Sequence, residues 1–184
     1  MLNNANKVAK DTNIILKKYL RKQKYSGLIG AMNYGLFPGG KKIRSKILID
    51  VGKIFNVNYN NLIKIGAAVE CVHAYSLIHD DLPCMDNDYI RRGKLSVHIK
   101  FDEATAVLAG NSLLTIAFEI LTSNHLNLDK EVKSDLVFAL ASCSGHLGIA
   151  GGQFLDLSFE GKAQDEKTII HNNFNNSVHV YRMR

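Results

Sequence analysis

Apolar positions recur along this chain at helical spacing, and almost nowhere at the spacing of a strand. Residues 5–22 are polar apart from a minority that includes Val8, Ile14, Ile15 and Tyr19, a pattern that predicts an amphipathic helix. A loop follows and ends in Phe37-Pro38-Gly39-Gly40. From Lys42 to Phe55 the apolar positions Ile43, Ile47, Val51 and Ile54 again predict a helix, closed by the polar break Asn56–Asn61. Leu62 to His79 is helical in pattern and so apolar that it should be central. Asp80 to Gly93 reads as a charged loop around Pro83, and Asp102 and Glu103 open a further helix to about Thr122. After a turn at Asn124–Asp129, one long helix is expected from Lys130 to Phe159. It contains Gly145, Gly148, Gly151 and Gly152, each costing ~1 kcal/mol against alanine, so a close helix contact or approach to a ligand should explain them. The expected class is all-α, a helical bundle without internal repeat. One domain should cover residues 1–170. Residues 171–184, HNNFNNSVHVYRMR, have four asparagines and no helical period and read as an aberrant or disordered tail.

Composition narrows the class. The chain of 184 residues, 46% apolar and 22% charged, is an ordinary globular domain with room for a core. Its net charge of +6 comes mostly from scattered lysines without interleaved aromatics, which argues against nucleic acid and suits a phosphate-bearing substrate. Cys71, Cys84 and Cys143 form no CxxC pair, so neither a disulfide framework nor a zinc site is expected, and a reducing cytoplasm fits. The first residues lack the apolar stretch of a signal peptide, and no window reads as a membrane span of ~20 apolar residues.

Four segments carry candidate chemistry. Asp80-Asp81-Leu82-Pro83-Cys84-Met85-Asp86-Asn87-Asp88 holds four carboxylates in nine residues with no cation between them. Such groups repel and raise one another's pKa, and a hard divalent cation relieves them. Pro83 breaks the preceding helix, letting Asp86 curl back toward Asp80. An acidic loop with Asp86 and Asp88 as caps is the structural alternative. Arg91-Arg92-Gly93 follows, and guanidinium groups beside a carboxylate-bound metal make a site for a diphosphate, unless both arginines simply pair with the aspartates. Gly39-Gly40-Lys41-Lys42-Ile43-Arg44 puts a glycine turn before a helix N-terminus, with Lys41 and Arg44 three apart on one face, a second plausible phosphate site without the spacing of a Walker loop. His73 lies seven residues before Asp80, about two helical turns, so the two share a face. Taken alone, a helix histidine is more often a core or surface residue than a ligand.

Together with Val69-Glu70-Cys71-Val72-His73-Ala74-Tyr75-Ser76-Leu77-Ile78-His79, these segments resemble the polyprenyl synthetase family almost continuously from Phe37 to Gly161. Val97-His98, Phe101, Glu103-Ala104, Val107-Leu108-Ala109-Gly110 and Gly151-Gly152-Gln153 with Asp156-Leu157 extend the likeness. The acidic motif has the DDxxxxD form, similar to bacterial farnesyl and plastid-type geranylgeranyl synthases. The resemblance implies an isoprenoid synthase bundle, usually homodimeric. It implies a magnesium-dependent transferase that condenses isopentenyl diphosphate with an allylic diphosphate (dimethylallyl or geranyl). Carried over residue by residue, Asp80 and Asp86 would bind magnesium, and Asp81 would support them as a third catalytic carboxylate. Arg91 would hold the allylic diphosphate, and Lys41, Arg44, His73 and Arg92 would hold isopentenyl diphosphate. Gln153 and Asp156 would line the same cavity. Tyr75, five residues before Asp80, would stop the growing chain at farnesyl diphosphate, with geranylgeranyl diphosphate as the alternative product.

The family pattern also includes a second aspartate-rich motif, DDxxD, preceded by Lys-Thr. Beyond Asp81 no adjacent aspartate pair occurs, and Ser177 and Val178 stand where Lys-Thr is expected. A chain truncated at its C-terminus is therefore expected, with an inactive relic or a non-catalytic partner of an intact synthase as alternatives. A terpene cyclase would not need Lys41 and Arg44, and a His-Asp phosphohydrolase would need histidines upstream of His73, where there are none.

Overall fold

The computed structural model describes residues 2–22, 27–37 and 40–159 and divides the chain into two compact units, residues 1–133 and 134–184. Among the described residues the first unit holds α1 (Leu2–Lys22), α2 (Ile29–Leu36), α3 (Ile43–Ile54), α4 (Tyr59–Asp80), the two-residue strands β1 (Ile90–Arg91) and β2 (Lys94–Leu95), α5 (Val97–Lys100) and α6 (Glu103–Thr122). Helix α7 (Lys130–Ser144) begins at its end, and α8 (Ile149–Phe159) belongs to the second unit. The all-α expectation holds. The expected boundary near residue 170 and the tail 171–184 lie outside the described residues.

Helix α4 is central, as its apolar run implied, and packs against α1, α2, α3 and α6. Its N-cap is Asn58, whose side chain accepts from the Asn60 N–H at 2.9 Å, satisfying one of the donors a helix start leaves open. Val8 of α1, Ile49 of α3 and Leu62 and Ile63 of α4 form one buried cluster, flanked by Ile15, Leu48 and Tyr59. Helix α6 is opened by Asp102, which accepts from the Thr105 N–H at 2.7 Å and from its hydroxyl at 2.7 Å. These bonds hold the Asp102 carboxyl below its ordinary range.

Several expectations are corrected. The periodicity of α3 was right, but its face was not: Ile43, Ile47, Val51 and Ile54 are exposed, while Ser45 and Ile49 point inward. The helix carries two apolar stripes, and the one with the smaller residues approaches α4. Similarly, Ile14 of α1 is exposed while Val8, Leu16, Tyr19 and Leu20 are buried. The segment before Phe37, expected as loop, contains α2, which buries Ala31, Met32 and Leu36 and packs against α4 and α6.

The helix expected unbroken from Lys130 to Phe159 is two helices. At the junction Gly148 N–H donates to Gly145 O at 2.9 Å, and a Cβ on Gly148 would fall 1.9 Å from the carbonyl oxygen of Cys143. Glycine is required there by a backbone turn, so this glycine marks a break between helices. Finally, α6 is long and apolar enough by length and composition to cross a membrane, with a mean hydropathy of 1.6 over the window, contrary to the reading that no window was. Its asparagine, serine and threonines disguise it by eye. In this structure Ala106, Ala109, Leu113, Ile116, Ala117 and Ile120 are buried, and the helix packs on α4.

Candidate active site

The acidic loop begins where α4 ends. Asp80 is the last helical residue and Asp81 is the C-cap. Beyond them the chain reverses: Leu82 N–H donates to His79 O at 3.2 Å, and Asp86 N–H donates to Asp80 O at 2.9 Å. The curl expected from Pro83 is therefore present, and the backbones of Asp80 and Asp86 are bonded directly. Asn87, which accepts a left-handed backbone with φ of 52°, leads out of the turn.

Next comes a hairpin absent from the sequence reading. Ile90 pairs with Leu95 and Arg91 with Lys94, and the two turn residues, Arg92 and Gly93, both have positive φ, 54° and 74°. Two positive-φ residues make the tight turn whose twist matches paired strands. Gly93 adopts that conformation freely, whereas Arg92 does so at a cost. Lys42, the N-cap of α3, is also left-handed, with φ of 48°. Backbone strain of this kind gathers at functional sites.

Arg91 points back at the aspartates. Its Nε donates to Asp81 Oδ1 at 2.6 Å, a terminal nitrogen lies 2.5 Å from the same oxygen, and Asp88 Oδ2 is 3.7 Å away. Asp81 is 2% exposed. Burial lifts its carboxyl above the ordinary range, Arg91 pulls it partly back, and Asp88 adds a small push upward. Mutual repulsion, the expected cause, is thus secondary to desolvation for this residue. Arg91 is in turn held above its ordinary value by Asp81, Asp80 and Asp88, against the effect of burial.

Two clefts flank this pair. One is lined by Tyr34, Ile78, Asp81, Arg91, Arg92 and Lys94 among others. The second is lined by Lys41, Lys42, Arg44, Glu70, His73 and Arg92 among others. The structure therefore brings Lys41, Arg44, His73 and Arg92 to one cleft, and Asp81 and Arg91 to its neighbour. Asp80 and Asp86 are at the loop ends and belong to neither lining. His73 registers its surroundings. Burial, then Arg44, Arg92, Lys42 and Arg91, push its imidazole down to about 3, so it is neutral near pH 7. Burial accounts for most of this fall, and the four cations around the ring leave the cleft electropositive.

The third segment is built differently from the expectation. Lys41 precedes α3 and does not share a helix face with Arg44, although both line the same cleft. The N-terminus of α3 is also not left open. Glu70, buried on α4, accepts from the Ser45 N–H at 3.2 Å and faces Lys42, whose Nζ lies 3.9 Å away and donates to Leu36 O at 2.9 Å. Burial lowers the Lys42 ammonium and Glu70 offsets part of that fall. This buried pair was missed. Its signals were a glutamate inside an apolar helical run and a second lysine after the glycines. Gln153 and Asp156 lie on α8 in the second unit. Tyr75 is half-buried on α4 with its ring edge-on to His79, centroids 4.7 Å apart.

The residues could hold a magnesium–diphosphate. Among the described residues no three His, Cys, Asp or Glu side chains cluster to hold a metal on their own. Magnesium characteristically takes one or two carboxylates and completes its shell with phosphate oxygens and water. Two carboxylates whose backbones are clasped together, beside a basic cleft, fit that habit.

Comparison with known proteins agrees with this geometry. The chain is 47% identical over 136 residues to a farnesyl diphosphate synthase of Escherichia coli, covering 73% of this chain and 46% of that protein. It is 44% identical over 138 residues to one of Buchnera aphidicola, covering 74% and 49%. The crystal structure of an FPP/GFPP synthase from Zymomonas mobilis superposes with a TM-score of 0.83 at 38% identity, over 94% of this chain and 64% of that one. The chain thus spans about half the length of the curated relatives it matches. The family profile for polyprenyl synthetase matches residues 26–179, and the chain belongs to the polyprenyl synthetase family.

Proposed function

We propose that this chain serves the condensation of isopentenyl diphosphate with an allylic diphosphate, dimethylallyl or geranyl, to give farnesyl diphosphate in isoprenoid biosynthesis. The observation that carries the reading is the meeting of Lys41, Arg44, His73 and Arg92 in one cleft beside a second containing Asp81 and Arg91. Two adjoining cation-lined clefts suit two diphosphates. In this reading Asp80 and Asp86 hold magnesium, which when bound neutralises the leaving diphosphate. Arg91 binds the allylic diphosphate, and Asp81 orients Arg91. Lys41, Arg44 and Arg92 bind isopentenyl diphosphate as fixed charges, and neutral His73 contributes a hydrogen bond. The free thiols of Cys71, Cys84 and Cys143 suit a reducing cytoplasm, and we place the working form there as a homodimer.

The test is calorimetric titration of geranyl thiolodiphosphate, which resists ionisation, with and without magnesium. Binding should require the metal, and Asp80→Ala should weaken it by at least about thirtyfold, the low end for losing a charged partner. Equal binding with and without magnesium, or by both proteins, sinks the proposal.

Product length is a separate expectation. Tyr75 lies on α4 more than one turn before Asp80, with its ring against His79. A prenyl chain anchored by its diphosphate would run along α4 and meet that ring. In a chimaera extended with the C-terminal half of the Escherichia coli relative, Tyr75→Ala should shift product from fifteen carbons to twenty or more. An unchanged product distribution by mass spectrometry would remove Tyr75 as the floor.

A further inference from the structure

The cleft assigned to isopentenyl diphosphate contains one residue that such a ligand should avoid. Glu70 lines it together with Lys41, Lys42, Arg44, His73 and Arg92. A bare carboxylate there would repel a diphosphate. Glu70 is not bare: one oxygen accepts from the Ser45 N–H at 3.2 Å, and the other lies 3.9 Å from Lys42 Nζ. Both side chains are buried, and as a pair they add no net charge to the cleft. What they contribute is shape.

Helix α3 starts in an uncommon way. Its N-cap is Lys42, whose side chain has no acceptor to offer the open N–H groups of the first turn. Glu70 supplies that acceptor from α4, on the third helical residue, where an N-cap side chain ordinarily bonds. Lys42 itself has a left-handed backbone, φ 48° and ψ 48°, strained for a residue with a Cβ. Strain of this kind persists only where the surroundings over-determine it. Here Lys42 Nζ donates to Leu36 O at 2.9 Å and faces Glu70, while Lys42 O accepts from the Lys46 N–H at 3.0 Å. The turn so held sets where Lys41 lies. Lys41 precedes α3 and Arg44 is in its first turn, so no helix face aligns them; the left-handed residue between them joins two cations of one cleft. The segment is also seated against a third, since a Cβ on Gly40 would fall 3.1 Å from Arg92 Nη1. We propose that Glu70 and Lys42 are positioning residues for the isopentenyl diphosphate cleft, holding the left-handed turn that sets Lys41 beside Arg44 and Arg92.

This rests on the reading under Proposed function, and the test separates the two. The full chain and its Lys42→Met/Glu70→Gln variant are titrated with isopentenyl diphosphate and, separately, with geranyl thiolodiphosphate and magnesium. The double change removes one charge of each sign, so the net charge of the cleft is kept. Replacing a buried ion pair by neutral groups of similar volume is often neutral, so the ligand-free melting temperature should stay within about 5 °C. Affinity for isopentenyl diphosphate should nonetheless fall at least about tenfold, and affinity for the allylic analogue should stay within about threefold. In a Lys41→Ala background the loss should shrink below about threefold, as residues acting through Lys41 require. Glu70→Gln alone, which keeps an acceptor for Ser45, is the second variant. It should also weaken isopentenyl diphosphate although it makes the cleft more positive. Tighter binding by Glu70→Gln, unchanged affinity in the double variant, equal losses for both ligands, or a loss undiminished by Lys41→Ala each overturns the proposal. Absence of isopentenyl diphosphate binding by the wild type overturns the reading of the cleft, and this inference with it.

Discussion

Glu70→Ala should destabilise the first unit by about 3–5 kcal/mol, the range for removing one partner of a buried ion pair. Lys42 and Glu70 have side chains 5% and 4% exposed, so neither can find water when the other is lost. Removing the carboxylate also leaves the Ser45 N–H without its acceptor at the start of α3, next to the positive end of the helix. Glu70→Gln keeps an acceptor for Ser45 and should cost less, and Lys42→Met with Glu70→Ala should recover much of the loss. Urea unfolding followed by circular dichroism measures all three. A loss below about 1 kcal/mol for the alanine variant would show that the pair is solvated or slack.

Arg91→Met should act on binding and stability together. Affinity for geranyl thiolodiphosphate with magnesium should fall by at least about thirtyfold, as expected for a truncated charge contact. The stability effect should depend on pH in a definite direction. Asp81 has its carboxyl raised in the fold, chiefly by burial, with Arg91 as the main opposing influence. Without Arg91 the rise becomes larger. A carboxyl whose folded pKa exceeds its unfolded value of about 3.9 contributes its stability below that value and loses it as pH climbs through the folded pKa. Arg91→Met should therefore be nearest to wild type around pH 4 and fall progressively behind toward pH 7. Adding Asp81→Asn should flatten that trend. A deficit that stays constant across the range would mean that Asp81 is not the buried charge at issue.

The pattern of apolar residues was a good guide where a helix buries one broad face, as with α4 and α6, and a poor one elsewhere. Helix α2 packs two glycines and an asparagine into eight residues, so no stripe announces it; burial of Ala31, Met32 and Leu36 against neighbouring helices holds it. In α3 two apolar stripes compete, and only packing against α4 decides between them. The hairpin has two residue pairs, too few for alternation to register. The site was more legible. Lys41, Arg44, His73 and Arg92 were named together and do line one cleft, while Arg91 lines the neighbouring cleft, which Arg92 lines as well. Glu70 was missed because its importance lies in burial, which a motif does not record.

The clasp from Asp86 N–H to Asp80 O has a consequence for how this loop can evolve. It closes the loop at its ends, and the stretch between bulges away, with Pro83 and Cys84 exposed and Leu82 buried as an anchor. Residues could be gained or lost between Leu82 and Asp86 with little change in the separation of the two carboxylates at its base. A motif that reads as rigid in sequence is then a fixed gap bridged by an adjustable arch. Length variants of that arch are a route by which related proteins can alter the rim of the site while keeping the carboxylates at its base constant.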